Sequence, residues 1–128
     1  MEEQIVSFEV AKLAKEKRFN WKVTSFYYPE DRVGLVKECK YTNYNADIEV
    51  VEMISAPTQS LLQKWLREVH NIHINITHLT FNQLYRVNNI TSGWDESNSG
   101  ILKTHGFNKF ETYEEALEEG LKQTLLNI

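Results

Sequence analysis

"SAPTQSLLQKWLREVHNIHINITHLTF", residues 55–81, changes its hydrophobic period halfway along, and that change decides the fold. In its first half Leu61, Leu62, Trp65, Leu66 and Val69 recur at helical spacing, with Lys64, Arg67 and Glu68 on other faces. Pro57 suits the first turn of this helix, where its missing N–H costs nothing, and Ser55 or Thr58 can cap it. In the second half Ile72, Ile74 and Ile76 alternate with His73, Asn75 and Thr77, the pattern of a half-buried strand. Gln83–Ile90 pairs with that strand through a short turn near Thr80–Asn82. The stretch is therefore expected to be scaffold: a capped helix that turns into a core strand, with Trp65 largely buried.

Downstream, residues 93–100 (GWDESNSG) form a polar loop carrying Trp94, and Ile101–Phe107 can supply a third strand. Thr112 and Glu115 make a capping box. Tyr113, Ala116, Leu117, Gly120, Leu121, Thr124 and Leu125 line one face of the closing helix. Gly120 costs about 1 kcal/mol there relative to Ala, so close approach to a neighbouring backbone is expected. Upstream, Ser7 caps a helix over Phe8–Arg18 with Val10, Leu13 and Ala14 inward. Trp21–Tyr28 reads as a strand, Pro29–Arg32 as a turn and Val33–Tyr41 as a weaker strand. Ala46–Ile54 suits a strand or a helix. The expected order is α-β-β(-β)-α-β-β(-β)-α, an α+β fold in one domain, 1–128, with an antiparallel sheet packed against helices.

Composition narrows the function classes. The formal net charge is -4 and the pI about 5.6, which argues against generic grip on nucleic-acid phosphates. Cys39 is the only cysteine, so no internal disulfide forms and a reducing, cytoplasmic setting is expected. No secretion signal or membrane-spanning run is read, and no membrane partner is expected.

Candidate chemistry is sparse. His70, His73 and His78 give H-x2-H-x4-H, but one ends a helix and the other two point to opposite faces of a strand, so no metal is expected from them. His70 has a structural reading, a favourable contact with the carbonyls of its helix end, and Asn71 can follow as a left-handed cap. His105 is the one partner that could join His73. The glycines are scattered, so no phosphate loop arises, and the paired glutamates Glu114/Glu115 and Glu118/Glu119 read as solvated helix surface. No catalytic residue and no cofactor are expected. The order α-β-β-β-α after Pro57 is that of double-stranded-RNA-binding modules, yet the last helix opens on glutamates rather than bases.

The best electrostatic feature is the run Lys12, Lys15, Lys17, Arg18 and Lys22 beside Phe19 and Trp21. Helix geometry turns Lys12 and Lys15 to solvent and leaves Lys17 at the boundary. The binding candidates are Lys15, Lys17, Arg18, Trp21 and Lys22, with Trp94 in its own loop. Their plainer reading is a solvated helix face followed by a core tryptophan.

"SAPTQSLLQKWLREVHNIHI", "TYEEALEEGLKQTL" and "FEVAKLAKEKRFNW" together resemble a group of small proteins of Bacteroides-type gut bacteria and of their phages and prophages. The resemblance spans most of the chain apart from Tyr28–Met53. Members of that group usually carry Gly where this chain has Arg18. The resemblance implies an intracellular protein of mobile-element origin and carries over no activity and no site residue. The function expected is a small non-catalytic binding or accessory protein with a protein partner. The alternative is a nucleic-acid-associated factor that uses the basic N-terminal segment weakly.

Overall fold

A computed structural model describes residues 3–28, 34–46, 53–92, 100–103 and 108–128. Within them it has an α+β architecture of three helices and two antiparallel sheets. The chain divides into two compact units, Met1–Thr58 and Gln59–Ile128.

In the first unit, Ser7 Oγ accepts from the Val10 N–H at 3.3 Å and starts α1, Phe8–Glu16. Val10, Ala11 and Ala14 are its buried residues, and Leu13 is half-buried. The helix stops two residues short of the expected Arg18. Arg18 takes a left-handed φ of 67°. The Phe19 N–H then reaches back to the Ala14 carbonyl, and that of Arg18 to Lys15, each at 3.0 Å. This is the Schellman closure that glycine normally serves.

Strands β1 (Phe26–Tyr27), β2 (Leu35–Val36) and β3 (Ile54–Ser55) form a small antiparallel sheet in the order β2-β1-β3. The strand expected over Trp21–Tyr28 shrinks to its last aromatic pair. Val23 instead exchanges both backbone bonds with Thr42, and the Cys39 N–H donates to the Thr24 carbonyl. The strand expected over Val33–Tyr41 is likewise cut short: Glu38 sits at φ 55° and breaks it. The turn Pro29–Arg32 lies outside the described residues, as does Asp47–Glu52 of the ambiguous segment, whose end Ile54 is strand. Pro57 precedes its helix rather than opening it. The Val6 N–H donates to the Pro57 carbonyl, and Ile5 bridges Thr58, so both residues stay extended.

The second unit begins with α2 (Gln59–His70) and the hairpin of β4 (Ile72–Leu79) and β5 (Leu84–Ser92). Asn71, at φ 52°, makes the left-handed turn between α2 and β4. Strands β6 (Gly100–Lys103) and β7 (Lys109–Phe110) share the other edge of β5, so that among the described residues β4 is at the border of the sheet. The pair Asn75↔Asn89 is followed by Ile76↔Val87, so β5 carries one extra residue, Asn88, as a bulge. The third strand expected at Ile101–Phe107 is seen as β6; its last four residues lie outside the described ones.

Thr112 caps α3 (Tyr113–Leu126), accepting at Oγ1 from the Glu115 N–H at 3.1 Å. Ala116, Leu117, Gly120, Leu121, Thr124 and Leu125 are buried as their spacing implied, whereas Tyr113 is exposed. A Cβ on Gly120 would stand 2.8 Å from Ile74 Cγ2 and 3.3 Å from Val87 Cγ2. The close approach is therefore to sheet side chains, not to a backbone. On α2, Leu62, Trp65 and Leu66 are buried, and Val69, placed on the same stripe by spacing, is 46% exposed.

Candidate functional site

Residues 18–24 and 39–45 run side by side in the first unit. Three contacts lock them: the Cys39 N–H donating to the Thr24 carbonyl, the two reciprocal backbone hydrogen bonds between Val23 and Thr42, and Asn45 Nδ2 donating to the Phe19 carbonyl at 2.8 Å. Asn45 Oδ1 also accepts from the Ser55 N–H at 2.8 Å, which fixes this ribbon to β3. Val23 and Phe19 are buried, so alternation turns Lys22 outward. Opposite it, Tyr41 is 65% exposed, and Lys22 Nζ stands 6.0 Å from the centre of its ring. That distance is the outer limit of a cation–π contact. The Tyr44 hydroxyl donates to the Lys40 carbonyl and so holds the backbone next to Tyr41.

The basic run is thereby sorted. Lys12, Arg18 and Lys22 are exposed, and Lys17 is half-buried as its boundary position implied. Lys15, expected to face solvent, is half-buried and donates to the Met53 carbonyl at 3.0 Å, because β3 follows directly after that residue and lies beside α1. Trp21 is half-buried between Arg18 and Lys22 in sequence. Trp94 lies outside the described residues, as does His105. The exposed residues that remain are Arg18, Lys22, Lys40 and Tyr41, of which Lys22 and Tyr41 are brought together, and Glu16 and Glu38 are exposed near them in sequence. Tyr41 and Lys40 were not found from sequence. Their signal was an aromatic between lysine and threonine in a polar loop, but the pairing that brings them to Lys22 is long-range.

The three described histidines, His70, His73 and His78, make separate contacts. His70 stacks edge-on against Trp65 at 4.8 Å, with its Nε2 buried and unbonded. His73 is exposed, 3.2 Å from Asn71 Oδ1, and His78 stacks on its cross-strand neighbour Tyr85 at 4.7 Å. The expected contact of His70 with helix-end carbonyls is replaced by burial, which pushes its pKa below the ordinary 6.5. Among the described residues no group of three His, Cys, Asp or Glu side chains is placed to hold a metal ion. Among the described residues, too, no helix is long and apolar enough to cross a membrane. Cys39 is half-buried, its thiol 3.4 Å from the Lys37 carbonyl. Comparison with protein-family models, with curated proteins and with solved structures finds no match to this chain.

Proposed function

We propose that this chain is a non-catalytic binding protein whose first unit holds an acidic segment of a partner protein. The observation that carries the reading is the exposed Tyr41 with Lys22 Nζ near its ring, on a backbone pairing held by Asn45, with Arg18 exposed four residues before Lys22 in sequence. An exposed aromatic with a cation near its ring suits a carboxylate-rich strand that also brings an apolar side chain. Arg18 adds a fork able to bind a carboxylate at two points. The cytoplasmic setting and the phage or prophage origin belong to the same reading. The three sequence segments quoted above and the unpaired thiol of Cys39 support them.

The test is fluorescence anisotropy with a fluorescein-labelled copolymer of Glu and Tyr at low salt. Binding is expected in the micromolar range, weakening about tenfold as salt rises to physiological strength. The double variant Arg18→Glu/Lys22→Glu is expected to bind at least tenfold less well. No binding by the parent, or undiminished binding by the variant, refutes the reading. Tighter binding of oligothymidylate than of the copolymer, lost in the same variant, transfers the site to single-stranded nucleic acid.

A further inference from the structure

Among the described residues strand β4 is a sheet border without the usual protection. Border strands present unpaired backbone groups, and proteins blunt them with lysine, proline, a bulge or short length. β4 runs for eight residues, Ile72–Leu79, with no proline and no Asp, Glu, Lys or Arg. The bulge of this hairpin sits on β5, at Asn88, so the outer strand keeps its regular pleat. Gln63 Nε2 approaches the Ile74 carbonyl at 3.5 Å, too long to compete with a strand bond. From residue 69 to residue 94 the one Asp, Glu, Lys or Arg is Arg86, in a chain that is 25% charged.

Two apolar side chains near this strand lack cover. Phe81, at the tip of the hairpin, is fully exposed, and Val69, at the end of α2, is 46% exposed. They lie six residues on either side of Asn75. We infer that β4 pairs antiparallel with β4 of a second copy of this chain, with the two-fold axis at Asn75. In that register Ile74 faces Ile76 of the second copy and His73 faces Thr77, so each face of the joined sheet keeps its own character. The same register sets the hairpin tip of one copy, which carries Phe81, beside the α2–β4 turn of the other, where α2 ends near Val69, twice over. One symmetric contact thus pairs an edge that is open among the described residues and draws the apolar Phe81 and Val69 to its two ends.

The contact is short, and a reversible dimer is expected at about 100 µM protein rather than a permanent one. Sedimentation velocity of the full chain reads it. Asn75 is exposed and faces its own copy, so Asn75→Lys and Asn75→Asp are each expected to sediment as monomers, and an equal mixture of the two as a dimer. Phe81→Ser, at a site with no burial to lose, is expected to weaken the dimer about tenfold while leaving the far-UV spectrum unchanged. A parent that stays monomeric at that concentration overturns the inference. So does a dimer untouched by both Asn75→Lys and Phe81→Ser.

Discussion

Arg18 carries a conformational cost that a single substitution can remove. Its φ of 67° presses an L side chain against the following carbonyl, and the helix end needs that conformation to close. Arg18→Gly is expected to raise the unfolding free energy by about 1 kcal/mol, read as a higher urea midpoint with unchanged slope. The same variant should weaken copolymer binding, separating what the residue does for partners from what it does for stability. Gly120 shows the opposite case. Helix propensity favours alanine there by about 1 kcal/mol, but the new methyl would meet Ile74 Cγ2 at 2.8 Å. Overpacking of that kind costs about 1–3 kcal/mol, so Gly120→Ala is expected to be destabilising on balance. In an Ile74→Ala background the obstructing methyl is gone and the same change should become neutral or favourable. An additive double-mutant cycle would refute this account.

The helix α2 is held by Trp65, which is 1% exposed, and it ends on a histidine packed against that ring. Trp65→Ala is expected to cost about 3–5 kcal/mol, enough to threaten a marginally stable unit. His70 adds a pH dependence. Burial lowers its pKa in the fold, so between that value and 6.5 the unfolded chain binds the proton more readily. Its contribution is complete above pH 6.5 and is lost as the pH falls towards the folded value. Urea midpoints should therefore drop from pH 7.5 to pH 5, and His70→Gln should flatten that slope. A slope unchanged by the substitution would assign the effect to other groups. This region is also where the sequence is most legible. The change of period at Asn71, the caps Ser7 and Thr112 and the buried faces of α2 and α3 are local signals, set by spacing and by side chains that reach their own backbone. The short strands of the first unit are not local. Val23 binds Thr42, and Asn45 binds Phe19, through contacts between segments whose propensities favoured longer strands. The candidate site inherits that limit: Arg18 and Lys22 were visible as charges, whereas Tyr41 reaches Lys22 through pairing alone.

At the scale of the molecule, charge sets the range of partners. Residues 1–58 hold eight Lys or Arg against ten Asp or Glu, and residues 59–128 hold six against eight, so neither unit is basic. Duplex DNA is bound chiefly by displacing its condensed counterions, and the gain scales with the phosphates a protein can neutralise. Among the described residues the exposed cations Lys12, Arg18, Lys22, Lys37 and Lys40 share the first unit with the exposed Glu9, Glu16 and Glu38, and Lys15 donates to the Met53 carbonyl. The last helix opens on Glu114 and Glu115, both exposed, which repel a phosphate backbone. Duplex affinity should therefore be weak at any salt and vanish steeply as salt rises. An anisotropy titration with a labelled random-sequence duplex at physiological salt is expected to show no binding tighter than about 10 nM, the range of specific DNA-binding proteins. A dissociation constant at or below that value would mean that the acidic surface is bypassed by a cluster of bases. It would also displace the acidic protein segment as the partner of the Lys22–Tyr41 surface, since the same few cations cannot serve both ligands with equal strength.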